Sequence, residues 1–200
     1  MHKLYKSKMP FYLLWILITS FGASVGFVFG GAQQFSEKST YFVQLIFTGL
    51  LIGLGQWLLM SSKAGISWVM IPATMIGLPL SCFIAFSFGE SFSRTGWSDL
   101  VVLFAICSLA GAIIGAIQLT ALSTIKISEG MWWIAISALG WGIAFTAASA
   151  SGAETGAGNF AGNLSFGAIL GLVLGIVSGA YMIFALYDSQ QTASVAQHAS

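Results

Sequence analysis

Apolar runs of about 20 residues recur along almost the whole chain, broken only by short polar stretches: AQQFSEKST, SSKAGI, GESFSRTGWS, STIKISEG and SGAETGAGNF. A helix of that length, rising about 1.5 Å per residue, matches the roughly 30 Å hydrocarbon core of a bilayer. The pattern predicts six membrane-spanning helices, at about 10–31, 41–60, 67–88, 99–122, 131–150 and 164–187. The expected fold is therefore all-α, a polytopic transmembrane helical bundle forming one domain over 1–187, with a polar, disordered tail at 188–200. None of the separators has the length of a soluble domain.

Composition makes lipid the solvent. Of 200 residues, 57% are hydrophobic and 6% charged, against roughly a quarter charged in a soluble domain, and the mean hydropathy is +0.90. The lipid bilayer is the first expected partner. The net charge is +1 and the seven Lys and Arg residues are dispersed, so no basic stripe tracks phosphates and nucleic acid is not an expected partner. The few cations do set an orientation. With the N-terminus in the cytoplasm, the inner segments hold Lys3, Lys6, Lys8, Lys63 and Lys126, and the outer loops only Lys38 and Arg94. An even helix count returns the C-terminus to the cytoplasm, so the expectation is a multi-pass protein of the cell inner (plasma) membrane with both termini inside. The first run competes with a signal-peptide reading, since lysines precede it and Gly30-Gly31-Ala32 follows. It is longer than the roughly 7 to 15 residues of a signal h-region, and it reads as a retained helix.

One helix type occurs three times: GLLIGLGQWLLM (49–60), GAIIGAIQLTAL (111–122) and GLVLGIVSGAYM (171–182). Each has glycine at its first and fifth positions. The eighth holds Gln56, Gln118 and Ser178. A second type lies between them, as WILITSFG from Trp15, WIAISALG from Trp133 and, more loosely, WVMIPATMIG from Trp68. The unit is then a hairpin repeated in tandem three times, with all copies parallel about an axis along the membrane normal; a six-helix ring is the simplest arrangement. Trp15 to Glu37, Trp68 to Glu90 and Trp132 to Glu154 share one spacing, although Trp132 and Trp133 leave the register open by one residue.

Glycines four apart share a helix face. Gly22, Gly26 and Gly30 do so in the first helix, Gly49 and Gly53 in the second, Gly111 and Gly115 in the fourth, and Gly167, Gly171, Gly175 and Gly179 in the sixth. In lipid such grooves let backbones approach closely. They serve the chain's own bundle or a partner helix, including a second copy of the chain, and the rows of the first and sixth helices are placed to zip a ring shut. Pro72 and Pro79 are expected to kink the third helix.

Missing chemistry narrows the function. No charged residue or histidine lies in the middle third of any predicted span, which counts against pumps, voltage sensors and ion-coupled transport. His2 and His198 are in the tails, Asp99 and Asp188 are at opposite helix ends, and no HExxH, GxSxG, CxxC or Walker loop occurs. The expectation is no enzyme, no metal site and no cofactor. Cys82 and Cys107 read as thiols packed in apolar runs at similar depth, and whether they meet is open. Gln56, Gln118 and Ser178 either bond across helices or line a cavity. Glu37, Glu90 and Glu154 are candidates for an acidic ring at the outer surface.

GxxxGxxQ-type helices alternating with Trp-led ones resemble a set of glycine-rich polytopic bacterial membrane proteins. That resemblance covers most of the chain and implies an inner membrane but no established activity. The size, the six helices and Gly22, Gly26 and Gly30 are also similar to the substrate-binding membrane subunit of energy-coupling-factor vitamin transporters, in which small residues of the first helix dock onto a transmembrane partner. Tandem hairpins are similar to mitochondrial carriers too, but the Pro-acid-basic signature of that family is missing. The leading expectation is thus a structural, assembly or helix-packing component of a membrane complex. A small-solute transporter or its substrate-binding subunit comes next, then a passive pore along the axis.

Overall fold

The computed structural model describes residues 8–31, 37–64, 67–88, 98–122, 127–156 and 158–198. Among them are six α-helices and no strand: α1 Lys8–Gly31, α2 Glu37–Ala64, α3 Met70–Ser87, α4 Asp99–Leu119, α5 Ile127–Ala150 and α6 Phe160–His198. Each is long and apolar enough to cross a membrane, and a helix satisfies its backbone internally where no water can. The protein is therefore read as an integral, multi-pass membrane protein. The predicted spans coincide with these helices, with differences at the ends. α2 and α5 each begin four residues earlier than expected. α6 continues through the stretch expected to be a disordered tail, as far as His198. Pro72 lies in the first turn of α3, where its missing N–H has no helical partner to lose, so only Pro79 sits inside that helix.

Each helix packs on its neighbours in the chain, and α1 packs on α6, which closes a ring. Glycine sets how closely the backbones approach. A methyl at Gly49 would come within 2.5 Å of the Thr74 carbonyl oxygen, at Gly111 within 2.5 Å of the Ser137 carbonyl oxygen, and at Gly171 within 2.6 Å of the Thr19 carbonyl oxygen. Gly53, Gly115 and Gly175 repeat the contact one turn on, against Ile71, Ile134 and Ile16. Gly167 and Gly179 extend the α6 row onto Ala23 and Trp15. The α6 row thus docks on the Thr19–Ser20–Ala23 face of α1. The glycines of α1 point elsewhere: Gly22, Gly26 and Gly30 meet the α2 backbone at Ile52, Thr48 and Gln44. The two longest rows sit on neighbouring helices, as expected, but each faces a different partner and they do not zip together.

At one end of the ring, Trp15, Met60, Met70, Leu122, Trp133 and Met182 pack into a single buried cluster. Further along, Ile52, Ile114 and Leu174 are buried in one larger core with Ala23, Leu78 and Trp141. The middle of the bundle and its Trp15 end are thus filled with side chains.

Replacing Gly111 or Gly171 by Val should lower the detergent-extracted melting temperature by many degrees or prevent folding, because the bulk meets backbone atoms that cannot yield. Gly156→Ala, with nothing within 4 Å of the added methyl, should leave the melting temperature unchanged.

Candidate functional site

Among the described residues, the apolar bundle holds two hydrogen-bonded polar levels and a cavity. The first polar feature is the level of Gln56, Gln118 and Ser178, all buried. The indole N–H of Trp15 on α1 donates to Ser178 Oγ at 2.9 Å, and that hydroxyl donates to the Leu174 carbonyl. The indole of Trp133 on α5 donates to Gln118 Oε1 at 3.2 Å, while Gln118 Nε2 donates to Thr74 Oγ1 of α3 at 3.0 Å. Gln56 departs from this pattern, as its Oε1 is buried without a partner. On the following helix, α3, the buried residue placed like Trp15 and Trp133 is Met70, which carries no N–H to donate. Trp68 lies outside α3 and is exposed, as is Trp132. The shared Trp-to-Glu spacing therefore joins a buried indole to two exposed ones and marks no common position. The three polar residues bond between helices or stay buried, and the hydrophobic cluster beneath them stands where a pore would need its lumen.

The second polar feature ties down the opposite end. Gln44 Nε2 donates to the Phe27 carbonyl and to Asn163 Oδ1, both at 3.1 Å. Asn163 in turn holds Gly156 through both backbone groups, at 3.0 and 2.8 Å, and the Gly158 N–H donates to the Gly31 carbonyl. This clasp fastens the α5–α6 connection across the ends of α1 and α2. Gly152 and Gly158 take positive φ values of 74° and 79° in that connection, a conformation that favours glycine.

Beneath the connection lies a cavity of about 570 Å³. Its lining comes from every helix except α4, and seven of its twelve lining residues are Phe or Tyr. Phe27, Cys82 and Phe166 form a buried floor. Phe27 lies 5.1 Å from Phe166 with the rings tilted by 44°, and Phe145 meets Phe166 edge-on at 5.8 Å. Phe42 on α2 and Phe83 and Phe86 on α3 are exposed and form a side wall, whereas Tyr41, Ser149 and Thr155 form a polar rim. Among the described residues, no charged side chain lines it. The volume falls within the roughly 300–1,000 Å³ of small-molecule sites.

The acidic ring is not assembled among the described residues. Glu37 opens α2 with its side chain outside the described set, Glu90 lies outside it altogether, and Glu154 is exposed on the α5–α6 connection. Both cysteines are buried and free. All eleven candidate glycines are covered by helices of this chain, including the α1 face that the vitamin-transporter resemblance reserves for an outside partner. Sequence reasoning missed the cavity. Its aromatic residues follow no motif, and only the ring closure brings Phe27, Phe145 and Phe166 together. Among family models, curated proteins and solved structures, none matches the chain.

The unequal bonding at the glutamine level has a measurable consequence. Gln118→Leu removes two partners at once and should destabilise the protein by about 1–2 kcal/mol. Gln56→Leu removes a carbonyl that has no partner and should be neutral or stabilising, as thermal melts of the two variants in one detergent would show.

Proposed function

We propose that this protein is a non-catalytic, membrane-embedded binding protein for a small apolar molecule, held in the cavity beneath the α5–α6 connection. The observation that carries the reading is a chamber of about 570 Å³ at one end of a ring whose other end is filled by the Trp15 cluster. A chamber near one end of a bundle whose other end is filled suits capture and release, not free passage. The scaffold reading, which led on sequence grounds, needs a free small-residue face for a partner helix, and the glycine rows are occupied within the chain.

On this reading the bundle is three tandem hairpins. The thrice-repeated contact of a glycine with a Thr or Ser carbonyl supports that description. In the orientation set by the lysines, the filled end faces the cytoplasm of a bacterial cell and the chamber faces outward. The non-catalytic part of the reading is supported by the absence of an acid or base among the described residues that line the chamber.

The test is saturable binding of the neutral fluorophore N-phenyl-1-naphthylamine to purified protein, with protein-free micelles as the blank. The expected result is one site per chain, weakened at least tenfold by Ser149→Trp at the rim or Cys82→Trp at the floor. Fluorescence that follows detergent alone, or binding indifferent to both substitutions, would overturn the reading.

A further inference from the structure

The chamber is chemically one-sided, and that asymmetry specifies its occupant. Around the floor, aromatic rings dominate: Phe27, Phe166 and Phe145 line the chamber in tilted and edge-on pairs with centroids 5.1 and 5.8 Å apart, and Trp141, outside the lining, lies 5.7 Å from Phe145. Aromatic faces attract flat, electron-poor rings in offset or edge geometry, an attraction that a saturated chain does not share. Hydrogen-bonding groups gather at the rim alone. Thr155 Oγ1 donates to the Tyr41 hydroxyl at 3.2 Å. The Tyr41 hydroxyl has only a long contact of its own, 3.5 Å to the Thr155 carbonyl, so its proton is loosely engaged and free to turn to a better acceptor. With no charge among the described lining residues, an ion or zwitterion would lose its hydration there without compensation from them.

The route in is also marked. Phe42, Phe83 and Phe86 are exposed on α2 and α3 within the spans, so this wall faces hydrocarbon, not water. A molecule already dissolved in the bilayer reaches the chamber from the side.

We propose that the chamber binds a lipid-soluble, flat-ring molecule carrying a carbonyl at one end, its ring against Phe27, Phe145 and Phe166 and its carbonyl accepting the Tyr41 hydroxyl proton. This proposal rests on the chamber being a binding site and adds the class of ligand.

The test is competition against bound N-phenyl-1-naphthylamine on the full chain, with three competitors. Menadione has a flat ring and carbonyls, 2-methylnaphthalene has the ring alone, and 1-octadecanol has a saturated chain with one hydroxyl. Menadione should displace the probe best. Tyr41→Phe should weaken menadione about fivefold, the worth of one hydrogen bond, without changing 2-methylnaphthalene. Thr155→Val breaks the same rim contact but keeps the Tyr41 proton, and should leave menadione binding unchanged or tighter. Equal loss in both variants would mean that the rim contact acts only through the loop and would overturn the role given to Tyr41. Competition by 2-methylnaphthalene equal to that by menadione would overturn carbonyl recognition, and better displacement by 1-octadecanol would make the chamber an acyl-chain site. In each of these outcomes the probe still binds, so the chamber stands. Failure of the probe itself removes the chamber as a site.

Discussion

Close backbone contact at glycine is the interaction on which the rest of this molecule depends. Apolar side chains gain nothing by leaving lipid for one another, so helices in a bilayer associate through dispersion at short range and a few hydrogen bonds. Gly49, Gly111 and Gly171 bring α2, α4 and α6 against the backbones of α3, α5 and α1 at the same kind of position, a Thr or Ser carbonyl. These three contacts join each glycine helix to the Trp-type helix after it, with α1 following α6. They close the ring and fix the depth of every side chain that faces inward.

Polar groups then select among the packings that glycine permits. Buried Thr19 and Thr74 donate their hydroxyls to the carbonyls four residues back, those of Trp15 and Met70, whereas the Ser20 hydroxyl beside Thr19 is buried without a partner. Indoles close two of the three seams, and the third has Met70 facing an unpartnered Gln56 carbonyl. The helix without an indole latch, α3, also contains Pro79 and supplies Cys82, Phe83 and Phe86 to the chamber. The least firmly bonded seam and the apolar side wall are thus two features of one helix.

The six crossings were legible in the sequence because hydrocarbon imposes run length on any helix that spans it. Gly111 and Gly115, which their spacing puts on one face, lie against Ser137 and Ile134. Which helix each face meets was not legible: the α1 row and the α6 row look alike in sequence, and their partners depend on how the ring rotates each helix. Tryptophan misled for a related reason. Trp132 and Trp133 are adjacent in sequence, yet one is 65% exposed and the other 2%, since neighbouring residues on a helix point about 100° apart. The chamber left no local signal, because its walls are 139 residues apart at Phe27 and Phe166, and phenylalanine facing a cavity reads like phenylalanine facing lipid.

The seams are not equally close along the bundle. On α1, Gly22, Gly26 and Gly30 hold the α2 backbone close along most of the seam. On α3 and α5 only the first of these recurs, as Gly77 and Gly140, and both meet side chains of the next helix, at 3.4 Å from Ile117 and 3.2 Å from Leu174, without reaching its backbone. Beyond them stand Ser81 and Ala85 on α3 and Ala144 and Ala148 on α5. All four are fully buried, Ala85, Ala144 and Ala148 in the packed core, and none lines the chamber, whose walls come from helices other than α4. An empty cavity of this size would forfeit dispersion contacts around its whole wall, and the Gln44–Asn163–Gly156 clasp keeps that end from collapsing or splaying. The bundle thus packs one end with Trp, Met and Leu and ties the other with buried amides, and the chamber lies beside those amides.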